Sequence, residues 1–140
     1  MKFLMMFPLF AVPLVVYNIL MLGDNPFVTN PDLIKIPLMA NDDAFYLKMS
    51  DVFIMFGVIV LYFEILKATR TSRSTIVDHM LSMVVFIIFL IEFIVVAGAG
   101  TATFMVLLMM SLLDVVAGFT ITISTARRDM TFGGHGGDMG

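Results

Sequence analysis

Three carboxyl side chains, Glu64, Glu92 and Asp114, stand inside long runs of apolar residues. Charged groups at membrane depth cost a few kcal/mol on insertion scales, so each needs either a task or a partner. The task such residues could perform is proton transfer, because acids and histidines placed at successive depths relay protons in pumps. With His79 beside Glu64, the order Glu92, Asp114, Glu64 describes such a descent. The plainer alternative is that these groups are interhelical hydrogen-bond glue, worth on average well under about 1 kcal/mol each. The spacing favours glue. Ser111, Asp114, Gly118, Thr122 and Thr125 recur every three or four residues and form one helical stripe of small and hydroxylated side chains. Membrane helices approach one another closely along such stripes.

Other chemistry is excluded or disfavoured by what the sequence lacks. There is no cysteine, hence no disulfide framework, thiolate metal site or cysteine nucleophile. No glycine-rich phosphate loop, HExxH pair or GxSxG elbow occurs. His135 with Asp138 falls short of a metal-ligand set, so no metal site is expected. His79 alone cannot supply two imidazoles to a membrane haem, and the abundant methionines read as packing, so no cofactor is expected. A net charge of -3 with scattered basic residues excludes nucleic-acid binding.

The elements that must position the acids follow from hydropathy. Of 140 residues 60% are hydrophobic, against roughly 45–50% in a soluble domain, and the mean hydropathy is +1.03. An integral membrane protein is implied. Crossing a bilayer core of about 30 Å takes roughly 20 apolar helical residues. Four stretches meet or approach that length, at about 3–22, 52–66, 80–97 and 104–125, within one domain over 1–129. Pro8 and Pro13 should bend the first or loosen its first turns. Ser50 or Asp51 is placed to cap the second, and a run of small residues from Ala97 to Thr103 makes a tight turn into the fourth. The expected fold is thus an all-α membrane protein of four transmembrane helices.

Orientation follows from the positive residues. With the N-terminus inside, Lys2, Lys67, Arg70, Arg73, Arg127 and Arg128 are cytoplasmic, leaving Lys35 and Lys48 outside. Both termini should face the cytoplasm. The first stretch is read as retained, because Gly23-Asp24-Asn25-Pro26 offers no small-x-small cleavage site. The outer segment, 24–51, carries Pro26, Pro31 and Pro37 and reads as an irregular, extended and turn-rich loop. It is nevertheless too apolar to stay in water, so it lies either over its own bundle or against a partner. Residues 130–140 read as a Gly-rich cytoplasmic tail.

These spans fix the expected depths. Glu64 is placed to pair with Lys67, both reaching the cytoplasmic interface. Glu92 lies twelve residues beyond Met80, roughly 18 Å in, and Asp114 ten residues into the last span, roughly 15 Å from the outer side. On antiparallel neighbours the two could hydrogen-bond to each other, or each to a hydroxyl. No Lys or Arg is expected at their depth, so at least one should be neutral at pH 7. Tyr17 and Asn18 give the first span a polar spot near its outer end.

Phe63-Glu64-Ile65-Leu66-Lys67-Ala68-Thr69-Arg70-Thr71, with Val77-Asp78-His79, Asp114-Val115-Val116-Ala117-Gly118-Phe119 and Ala126-Arg127-Arg128-Asp129, resembles a family of small four-span bacterial inner-membrane proteins. The resemblance covers about 51–129 and implies a bacterial source without an assigned activity. The expected partners are the lipid bilayer and other integral membrane subunits. The expected function is that of a non-catalytic accessory or structural subunit of a larger bacterial inner-membrane complex, of respiratory or photosynthetic kind. The alternative is a small proton-coupled transporter or channel using Glu92 and Asp114. A quinone site between helices is a third, weaker reading.

Overall fold

The computed structural model of the protein describes residues 7–38, 44–70 and 74–133. Three helices among them, α3 (Met49–Ala68), α4 (Ser74–Val95) and α5 (Ala102–Gly133), are long and apolar enough to cross a membrane. Their apolar side chains largely point outward. Ile59 is 55% exposed, Ile94 72% and Val95 73%, a surface suited to acyl chains rather than water.

Each long helix keeps one narrow inward stripe. On α3 it is Phe53, Gly57, Glu64 and Ala68; on α4, Asp78, Ser82, Val85 and Phe89; on α5, Phe104, Leu107, Ser111, Asp114 and Gly118. The spacing of three, four or seven is that of one helix face. The central helix is α5, which packs against both α3 and α4.

Gly57 is packed tightly against the side chains of α5. A Cβ there would lie 2.7 Å from Leu107 Cδ2 and 3.1 Å from Met110 Sδ. Gly57→Leu gains up to about 1 kcal/mol in helix propensity but overpacks this contact, at about 1–3 kcal/mol. A net loss of stability is expected, read as a lower thermal midpoint in detergent.

Several boundaries differ from the sequence expectation. α3 begins at Met49 rather than 52, because the cap is built otherwise: Asp51 Oδ2 accepts the Lys48 N–H at 3.0 Å, and Asn30 Oδ1 accepts the Ser50 N–H at 3.1 Å. α4 starts at Ser74, six residues before the expected 80, so Asp78 and His79 belong to the helix instead of preceding it. α5 runs from Ala102 to Gly133, past the expected 125 and into the segment read as tail. At 32 residues it is about 48 Å long, more than a bilayer core of about 30 Å. The rest of the tail, with His135 and Asp138, lies outside the described residues. A 3₁₀ turn over Ala97–Ala99 forms the expected tight connection into α5.

The first helix, α1 (Ala11–Met21), has 11 residues and rises about 16 Å, shorter than the expected 3–22. The prolines explain its start. The Pro8 carbonyl accepts the Ala11 N–H at 3.0 Å in a preceding turn, and Pro13 sits in the first helical turn, where a missing N–H costs nothing. Residues 1–6 lie outside the described residues.

The outer segment is not irregular. A single helical turn, α2 (Pro26–Thr29), is capped by Asn25, whose Oδ1 accepts the Phe27 N–H at 3.0 Å. It ends at Asn30, in the left-handed region at φ 43°. Two antiparallel strands follow, β1 (Asp32–Pro37) and β2 (Ala44–Lys48). The register pairs Ile34 with Leu47 and Ile36 with Phe45, which makes one face apolar. On the opposite face Lys35 pairs with Tyr46, its ammonium 5.7 Å from the ring centroid. A register irregularity between Asp32 and Ile34 hides the alternation in the sequence.

Inside the bundle, near this ribbon, lies an aromatic core. The Tyr17 and Phe27 rings stack at 4.3 Å, and Phe104 and Phe53 present edges to Tyr17 at 4.8 and 5.9 Å. Phe89 and Phe10 continue the cluster away from the ribbon.

Candidate functional site

Beyond the aromatic core, at the end of the bundle away from the ribbon, α3, α4 and α5 enclose a polar cluster. Its centre is Lys67. The ammonium lies 2.9 Å from Glu64 Oε2, 2.8 Å from Asp78 Oδ1 and 2.8 Å from the Phe7 carbonyl oxygen. Glu64 Oε1 in turn accepts the Phe10 N–H at 3.3 Å. The lysine and glutamate of α3 therefore grip both sides of the turn that starts α1. This corrects the expectation that the pair reaches out to the interface. Glu64 is 2% exposed, and the same i, i+3 spacing serves an inward clamp because Asp78 waits on α4.

Asp114 faces this cluster from α5. It is 5% exposed, and the charged groups acting on it are Glu64, Asp78 and Lys67. Asp114 Oδ2 has no partner among the described residues. His79, 4% exposed, lays its ring against the backbone of Gly118, one turn along from Asp114. A Cβ at 118 would fall 2.5 Å from the imidazole, so the glycine makes room for the ring. His79 Nε2 is likewise without a partner among the described residues.

The expected stripe on α5 divides in two. Ser111, Asp114 and Gly118 are buried against the other helices. Thr122 and Thr125 are half-buried and turn their hydroxyls onto their own helix, donating to the Gly118 and Ile121 carbonyls at 2.9 and 2.8 Å.

Glu92 and Asp114 do not form a pair. Glu92 Oε2 accepts the Asn18 side-chain N–H at 2.7 Å, near the ribbon end, and Asn18 also donates to the Leu14 carbonyl at 3.0 Å. Between the two acids lie Val85, Phe89, Phe104 and Leu107, all buried. Depth alone could not show this, because helix α1 inserts its own amide where Glu92 faces inward.

The same end holds a second polar set. Tyr17 Oη shares a 2.6 Å hydrogen bond with Thr101 Oγ1 and donates to the Gly98 carbonyl at 3.3 Å, and Asn25 donates to that carbonyl at 3.0 Å. Thr101 Oγ1 also accepts the Phe104 N–H at 3.2 Å, which caps α5.

Sequence reasoning missed Asp78, Ser82 and the inward turn of Lys67. A helix started at 74 would have put Asp78, Ser82, Val85 and Phe89 on one face, which is the signal that could have found them. Among the described residues no group of three metal-ligating side chains is assembled.

Fold and cluster together define a membrane-embedded helical bundle with an ionic interior at one end. Comparison with protein-family models, with curated proteins and with solved structures finds no match.

Proposed function

We propose that the chain is a non-catalytic accessory subunit of a larger bacterial inner-membrane complex, and that the β-ribbon is the seat of an integral membrane partner. In this reading it crosses four times with both termini in the cytoplasm, as the excess of Lys and Arg at the ionic end favours.

The observation that carries the proposal is the uncovered apolar face of the ribbon. Ile34, Ile36 and Phe45 are each about half exposed, although they point to one side together. An isolated two-stranded ribbon is at best marginally stable in water, and its outer edges present unpaired N–H and C=O groups. A partner strand or helix laid on it supplies both missing contacts.

The transporter reading is weaker. Glu92 is committed to Asn18, and the aromatic and aliphatic layer between it and Asp114 weighs against a continuous proton path.

Purification of the full chain from native membranes in mild detergent, with lysine cross-linking and mass spectrometry, tests the proposal. A stoichiometric partner cross-linked through Lys35 or Lys48 is expected. Ile34→Glu with Ile36→Glu should reduce its recovery at least about tenfold, a change of about 1.4 kcal/mol. A chain that runs alone, or a partner retained by the double variant, overturns it.

A further inference from the structure

An ammonium has three N–H donors, and those of Lys67 are spent on Glu64, Asp78 and the Phe7 carbonyl. None is left for Asp114. Yet Asp114 is buried beside the same cluster, one turn from Gly118, against which the ring of His79, the neighbour of Asp78, is packed. If Glu64, Asp78 and Asp114 were all ionised, Lys67, the cation that acts on all three, would balance one of them, and two negative charges would stand in the interior of the described residues. Effective penalties for such charges are several kcal/mol each. Three buried atoms of the cluster also lack hydrogen-bond partners among the described residues, Asp114 Oδ2, His79 Nε2 and Asp78 Oδ1, the last of which has only its ion pair with Lys67. A buried carboxylate left without a hydrogen bond or counter-ion keeps its full desolvation cost, and a proton on the carboxyl removes the charge that is the larger part of it.

We propose that the cluster between α3, α4 and α5 is a proton-binding site, with the proton carried on the Asp114 carboxyl at neutral pH. The groups that face it are Glu64 and Lys67 from α3, Asp78, His79 and Ser82 from α4, and Ser111 and Gly118 on its own helix. The reaction is reversible and complete in itself: water supplies the proton, an O–H bond forms on the carboxylate, and the same bond breaks when the proton returns to water. Glu64 and Asp78 stay ionised because each holds an N–H of Lys67. The site does not depend on the partner proposed above.

Infrared difference spectroscopy of the full chain in lipid nanodiscs, titrated with pH, reads the site directly. A carbonyl stretch of a protonated carboxylic acid is expected at pH 7, shifted by ¹³C-labelled aspartate in the unsubstituted protein. The band should vanish in Asp114→Asn and persist in Glu64→Gln and Asp78→Asn. The isotope shift needs no substitution, so a variant that fails to fold does not remove the test. Absence of the band at pH 7, its insensitivity to labelled aspartate, its persistence in Asp114→Asn, or its loss on adding sodium or potassium ions overturns the proposal. The last outcome would assign the site to a monovalent metal cation.

Discussion

Lys67→Met is expected to remove about 3–5 kcal/mol of bundle stability. The side chain keeps its length and apolar stem but loses the ammonium. Glu64 and Asp78, 2% and 4% exposed, are then left facing each other without their cation, and the Phe7 carbonyl loses its donor. Removing one partner of a buried ionic set costs this much because the remaining charges stay desolvated. Replacing the whole set is a different matter. A Lys67→Met, Glu64→Gln, Asp78→Asn triple variant removes all three charges, and most of the loss should be recovered. Reversible unfolding in bicelles, for the single and triple variants side by side, separates the two outcomes. Equal losses in both would mean that packing, not charge, makes Lys67 important.

Tyr17 is the second position of large effect, and here two substitutions divide its two roles. Tyr17→Ala empties the centre of the aromatic core, where the ring contacts Phe27, Phe53 and Phe104. A loss of about 3–5 kcal/mol is expected for deleting a buried ring of this size. Tyr17→Phe keeps the ring and deletes only the hydroxyl that meets Thr101 and the Gly98 carbonyl. Interhelical hydrogen bonds of this kind average about 0.6 kcal/mol in membrane proteins. The same unfolding measurement should rank Ala far below Phe. A Phe variant as damaged as the Ala variant would show that the hydroxyl, through the cap of α5, carries the contact.

Much of the frame was legible because hydrocarbon imposes simple demands. Long apolar runs gave α3, α4 and α5, and the spacing of Ser111, Asp114 and Gly118 marked the face of α5 that meets protein. Direction was harder. Lys67 lies near the end of its helix, where an outward reach and an inward clamp satisfy the same spacing. Only the position of Asp78 on the next helix decides between them, and that helix was started too late to include it. Glu92 and Asn18 were both read as lying toward the segment between the first two stretches, but pairing them required knowing that α1 lies against α4. The ribbon was concealed by its prolines and by the irregularity after Asp32, which breaks the alternation of two that reveals a strand.

The tie between α3 and the start of α1 has a consequence in time. Synthesis proceeds from the N-terminus, so α1 leaves the ribosome well before Glu64 and Lys67, and longer still before Asp78. Until those residues emerge, the Phe7 carbonyl and Phe10 amide lack the groups that later hold them. The start of α1 therefore takes its final hold on the bundle only once α3 has been made, and the clamp is complete only when Asp78 of α4 follows.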